Sequence, residues 1–116
     1  MGARIHFVFK QQEGVPPIAL YSHWGADSYK EDLAKALHVS EARWDDPQYG
    51  TRIMISYLIN NEWTSTLGYG LYVGSDDVDS WDQSVLIDFR NKTVIDEVET
   101  FTFKEYSEKY LTSVNA

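Results

Sequence analysis

Arg4-Ile5-His6-Phe7-Val8-Phe9-Lys10 decides the fold. Ile5, Phe7 and Phe9 fall on one side of an extended chain, and Arg4, His6, Val8 and Lys10 fall on the other. That period of two predicts a half-buried strand. Gln11-Gln12-Glu13-Gly14 is polar, and Pro16-Pro17 interrupts regular pairing. Ile18 to about Ser22 reads as a second strand, so the two segments predict an antiparallel hairpin with a long turn.

Helical spacing follows. Asp27 or Ser28 can cap, and Ser28-x-x-Glu31 reads as a capping box. Tyr29, Leu33, Ala36 and Leu37 then share one face of a helix running to about Val39. Asp46 suits an N-cap with Pro47 in the first turn of a second helix. Tyr49, Ile53, Met54, Tyr57 and Leu58 supply its spacing, and Asn60-Asn61 its end. The remainder reads mainly as β: Leu67 to Val73, broken by glycines, then Ser84 to Phe89 and Thr93 to Val98 turning around Asn91-Lys92. Ser75 to Asp82 is an acidic loop. Thr102 and Glu105 form a second capping box, with Phe101 stapling onto Tyr106, and Phe103, Tyr106, Tyr110 and Leu111 form the apolar face of a last helix. The order β-β-α-α-β-β-β-α predicts an α+β domain, a mainly antiparallel sheet with helices packed on one face.

The 116 residues suit a single domain over 1–116. The chain has no cysteine, which excludes disulfides, thiolate metal sites and a thiol nucleophile. Its apolar runs are far short of the ~20 residues of a membrane helix. Met1-Gly2-Ala3-Arg4-Ile5-His6 has no apolar signal region, and no myristoylation pattern follows Gly2. A cytoplasmic protein is therefore expected. The formal net charge of −8 disfavours an extended nucleic-acid groove, which needs a surplus of Lys and Arg.

Motifs for nucleotide loops, nucleophile elbows and zinc helices are absent from the sequence. His6, His23 and His38 are scattered. Asp76-Asp77-Val78-Asp79-Ser80-Trp81-Asp82 departs from a calcium loop, since Asp82 replaces the required glycine. No catalytic residue, metal or cofactor is expected.

Aromatic clusters carry more information. Tyr21-Ser22-His23-Trp24-Gly25 lies where a strand ends and a helix begins, and helix N–H groups attract anions. His23 adds a donor, Trp24 a π-face, and Gly25 room for a ligand to approach. Arg43-Trp44-Asp45-Asp46-Pro47-Gln48-Tyr49-Gly50-Thr51-Arg52 adds two guanidinium forks suited to phosphate. Gly68-Tyr69-Gly70 flanks a third ring with glycines. The bland counterparts are a core-closing Trp24, an Arg43 paired with Asp45 or Asp46, and a kinked edge strand at Tyr69. Together the clusters suggest a nucleotide site, with rings for the base and cations for the phosphates. Tyr21, Trp24, Trp44, Tyr49 and Tyr69 are the candidate stacking residues, and His23, Arg43 and Arg52 the anion contacts. This expectation requires the clusters to converge on one hollow.

Tyr21-x-His23-Trp24-Gly25 resembles a pattern in small phage and prophage proteins, many of which carry Tyr-x-His-Trp-Asp-Gly. This chain has Gly25-Ala26-Asp27 there instead. Arg43-Trp44-Asp45-Asp46, Tyr49-Gly50-Thr51-Arg52, Gly68-Tyr69-Gly70 and Phe101-Thr102-Phe103 also resemble that group. The resemblance implies a phage-encoded protein acting in the host bacterial cytoplasm. It is consistent with a sponge, an oligomeric protein that sequesters a nucleotide immune signal without cleaving it. The leading expectation is thus a noncatalytic binder of a small anionic nucleotide-like ligand, forming a homo-oligomer. One alternative is an acidic inhibitor of a host protein, centred on Asp76, Asp77, Asp79, Trp81 and Asp82. The other is a small phosphodiesterase using His6 and His23.

Overall fold

In the computed structural model, residues 4–74, 83–97 and 99–115 are described. The strands are β1 (Ile5–Lys10), β2 (Ile18–Ser22), β3 (Tyr69–Val73), β4 (Gln83–Asp88), β5 (Thr93–Asp96) and β6 (Glu99–Thr102). The helices are α1 (Tyr29–Val39), α2 (Pro47–Ile59) and α3 (Phe103–Asn115), with short 3₁₀ turns at Gly25–Asp27 and Glu41–Arg43. One six-stranded sheet runs in the order β3-β2-β1-β4-β5-β6. All neighbours are antiparallel except β1 and β4. The fold is α+β, as the sequence pattern predicts.

The alternation in β1 sets the layers. Ile5, Phe7 and Phe9 pair across the sheet with Ser22, Leu20 and Ile18 of β2 and with Gln83, Val85 and Ile87 of β4. Most of this row joins Tyr29, Leu33, Leu37, Met54, Ile55, Phe103 and Tyr106 of the helices in one buried core. Burying a side chain of this size contributes about 1.5–3 kcal/mol. The opposite row of β1 holds His6, Val8 and Lys10; Val8 is buried but stands outside that core.

Several local expectations change. Ser28 makes no side-chain cap at α1; its hydroxyl donates to Asp32 instead, at 2.8 Å. The stripe α2 buries is Gly50, Thr51, Met54, Ile55 and Ile59, whereas Tyr49 and Tyr57 are exposed. On that stripe Gly50 lets the helix abut Phe89 so closely that a Cβ would stand 2.7 Å from its ring. Asp46 does cap α2, accepting from the Tyr49 N–H, and Asn60 ends it at φ 61°. β3 begins at Tyr69 rather than Leu67. The strand expected from Thr93 to Val98 stops at Asp96, and β6 is an additional strand. Glu97 turns there at φ 58°. A glutamate in that conformation lacks the Asn-Gly signature by which such hairpins are recognised. Ser75–Asp82 lies outside the described residues, as does Val98.

The cap of α3 forms as expected. Thr102 N–H donates to Glu105 Oε1 at 2.9 Å, Glu105 N–H donates to Thr102 Oγ1 at 3.0 Å, and Phe101 packs edge-on against Tyr106. Thr102→Ala should therefore cost about 1 kcal/mol, read as a lower urea midpoint at unchanged slope. Among the described residues, no helix is long and apolar enough to cross a membrane.

Candidate functional site

β3, β2 and β1 bring a row of rings together on the sheet face opposite the helices. His6 pairs with Tyr21 across β1 and β2, and Tyr21 pairs with Gly70 of β3. Tyr72 faces Ala19, whose small side chain lets the phenol lean towards the next row. Its hydroxyl and His6 Nδ1 share a hydrogen bond of 2.6 Å. The His6 ring lies 5.2 Å from Tyr21, and the Tyr21 hydroxyl shares a 2.9 Å hydrogen bond with His23 Nδ1. His23 then meets Trp24 edge-on at 5.1 Å. The result is a continuous ladder, Tyr72–His6–Tyr21–His23–Trp24.

Trp24 ends the ladder in a fixed place. The His23 N–H donates to the Gly68 carbonyl at 2.8 Å, which carries the β2–β3 pairing past the strand end. Gly68 has φ 97°, and a Cβ there would stand 2.5 Å from the indole. Glycine at 68 is thus required twice, by its backbone and by the ring packed on it. The indole remains 58% exposed. At Gly70, beside Tyr21, an added Cβ would meet nothing within 4 Å, so the sheet surface is open there.

The other expected site residues lie elsewhere. Tyr69 is on the helix-covered face, in a hollow of about 170 Å³ with Leu20, Ile59, Glu62, Trp63 and Leu71. Its hydroxyl is held above the usual phenol range, first by burial and then by the charges of Glu62 and Asp32. Those carboxylates oppose a phosphate in that hollow. Trp44 is a structural residue: its indole N–H donates to the Leu37 carbonyl at 3.0 Å and its ring packs edge-on against Phe103. Arg43 and Arg52 flank the Tyr49 ring at 4.7 and 5.9 Å, and Arg43 also meets Asp46 at 3.6 Å. That group sits at the start of α2, where Gly50 abuts Phe89 just beyond β4. Trp24 lies past the end of β2, by the opposite end of β1.

The expected hollow shared by all three clusters is therefore not formed. Tyr21, His23 and Trp24 share one surface and Arg43, Tyr49 and Arg52 another, and Gly25, expected to admit a ligand, is closed in by Ser22 and Ile5. His6 and Tyr72 complete the ladder. Alternation in β1 placed His6 on the outer face, but the partner strand of Tyr72 was not readable from local sequence. The acidic-inhibitor surface, Asp76, Asp77, Asp79, Trp81 and Asp82, lies outside the described residues.

A second polar group is buried among the helices. Asp96, 3% exposed, accepts from the Tyr29 hydroxyl at 2.7 Å and the Tyr106 hydroxyl at 3.3 Å, with Lys30 Nζ at 3.8 Å. Gln83 Nε2 donates to the Tyr29 hydroxyl at 3.1 Å. The signal for it was an acidic residue two places after Val94, on the inward row of a strand. The two phenols and the carboxylate satisfy one another internally, which makes the cluster a structural anchor. No family model matches the chain, and neither a curated protein nor a solved structure matches it significantly.

Proposed function

We propose that the protein binds and holds a small ring-bearing ligand of nucleotide type on the Tyr72–His6–Tyr21–His23–Trp24 ladder, without transforming it. The observation that carries this is the ladder itself: aromatic rings and imidazoles, cross-linked by hydrogen bonds, on the sheet face opposite the helices. A nucleobase stacked on such a ring gains about 1–3 kcal/mol. The imidazoles supply the local hydrogen-bond donors, while the guanidinium groups of Arg43 and Arg52 are too remote to serve the same ligand. Recognition thus rests on the base more than on the phosphates. The histidines' setting favours a binding role over a hydrolytic one. Each imidazole shares a hydrogen bond with a tyrosine, His6 with Tyr72 and His23 with Tyr21, which supports roles in holding a ligand over acid–base work as a pair. The resemblance to small phage proteins favours sequestration of a signal in the host cytoplasm as the biological use.

The test is thermal unfolding with nucleosides, their monophosphates and cyclic di- and trinucleotides, followed by product analysis. A bound compound at a hundredfold its dissociation constant should stabilise by about 2.7 kcal/mol. Tyr21→Ala and Trp24→Ala should each weaken binding roughly 5- to 150-fold, the range a lost base stack implies. Arg43→Ala with Arg52→Ala should leave it unchanged, and the compound should be recovered intact. No stabilisation by any of these compounds, or loss only in the arginine variant, would overturn the ladder as the site. A converted product would overturn the noncatalytic role.

A further inference from the structure

Among the described residues, β3 is an edge strand of the sheet, and its sequence carries no charge. Uncharged sequence runs from Trp63 to Ser75 in a chain whose net charge is −8. Natural edges are normally blunted by lysine, proline or a bulge, and Tyr69-Gly70-Leu71-Tyr72-Val73 has none of these. Instead, Leu67, Leu71, Tyr72 and Val73 are exposed along it, with Trp63 and Trp24 beside them. Leu71 and Val73 continue the core-facing rows of Leu20 and Ile18, yet Val73 is 70% exposed. Contiguous apolar surface of several hundred Å² on a folded chain marks an interaction site.

We propose that this edge pairs with β3 of a second copy of the chain, antiparallel and centred on Leu71, joining two sheets into one. The backbone sets the register. Gly74 N–H donates to the Pro17 carbonyl and His23 N–H to the Gly68 carbonyl, so the even-numbered residues of β3 are the ones bonded to β2. The N–H and C=O groups of Tyr69, Leu71 and Val73 therefore point outward. Centring on Leu71 gives every one of them a partner: Leu71 meets the other copy's Leu71, and Tyr69 meets its Val73. Shifting the centre to Gly70 or Tyr72 carries one end of the strand past its partner.

The side chains fit the same register. Gly70 and Tyr72 face each other across the two copies as non-hydrogen-bonded pairs, in which side chains approach most closely. The Tyr72 ring leans away from the edge towards His6, so the space beside Gly70 stays open for the strand of the second copy to approach. A two-fold axis through paired antiparallel strands is perpendicular to the sheet. Both ladders then lie on one side, with their Tyr72 ends adjacent. Charge favours a second copy as the occupant: β3 itself brings no carboxylate to the axis of an otherwise acidic protein. The edge pairing and Trp63 and Leu67 around it supply area towards the ~800 Å² per partner of a standard interface.

The inference is independent of the ligand reading, because its readout is mass and cross-linking. Sedimentation of the intact protein should show a dimer. Leu71→Lys places two like charges on the axis and should raise the dimer dissociation constant roughly a hundredfold or more. Val39→Lys, on exposed α1 surface, should leave it unchanged. The chain has no cysteine, so single replacements report the register. Leu71→Cys should oxidise to a covalent dimer, since axial residues sit about 5.5 Å apart at Cα. Val73→Cys should not, because its symmetry mate is four residues out of step. A monomer at all concentrations, a dimer indifferent to Leu71→Lys, or cross-linking of the Val73→Cys variant but not of the Leu71→Cys variant would overturn the proposal. Circular dichroism of each variant confirms that it has folded.

Discussion

Asp96→Ala should lower the unfolding free energy by roughly 2–5 kcal/mol, because it strands two buried hydroxyls at once. Tyr29 is 3% exposed and Tyr106 is fully buried, and both donate to this carboxyl group. Neither phenol can turn to water without opening the contact between α1, α3 and β5. The substitution also leaves a void beneath the helices, and Lys30 loses the group it faces at 3.8 Å. Urea unfolding checks this as a lower midpoint at unchanged slope. Asp96→Asn keeps an acceptor of similar shape and should lose less than the alanine variant. A midpoint for Asp96→Ala within error of the parent would mean that the cluster does not anchor the helices.

The same two tyrosines predict a steep loss of stability in alkali. Both hydroxyls are held above their ordinary value near 10. Burial is the main cause for each. The neighbouring Asp96 adds to it for both, and Glu97 for Tyr29. In the unfolded chain they ionise near 10; in the folded chain they stay protonated well beyond it. Above pH 10 the unfolded state therefore binds fewer protons than the folded state, and stability falls as pH rises. It is fully present below 10. The slope is about 1.4 kcal/mol per pH unit for each tyrosine. Denaturant unfolding at pH 8 to 12 should show this decline, and Tyr29→Phe should lessen its slope without abolishing it, because Tyr106 and Tyr69 are also held above their ordinary value. A flat profile across that range would contradict the burial of both hydroxyls.

The two regimes of legibility differ in their physics. β1, β2, α1 and the capping box of α3 were readable because each is a local pattern: alternation, helical spacing, or a side chain reaching three residues. The inward face of α2 was not. Tyr49 and Tyr57 satisfy helical spacing as well as Met54 and Ile55 do, and the stripe that is buried is the one on which Gly50 fits closely against Phe89. β6 was hidden because Glu97 adopts a turn conformation on tertiary demand rather than by preference. At the site, Tyr21, His23 and Trp24 were readable as a cluster because they are contiguous. Adding Arg43, Trp44, Tyr49, Arg52 and Tyr69 to them assumed convergence, which no local pattern can establish.

By itself, then, the sequence determined the class of fold, the hydrophobic row that the helices cover, and the exclusion of thiol chemistry. These follow from periodicity and composition, which depend on near neighbours alone. The tertiary structure decided which rings meet. It set the β2–β3 register that puts Tyr72 and Tyr21 on one face and Tyr69 on the other, it carried the arginines to the far end of the sheet, and it left β3 at an edge. Strand pairing joins residues far apart in the chain, and a shift of one residue would exchange the faces. That choice is made by the packing of the whole core and not by the residues at the site.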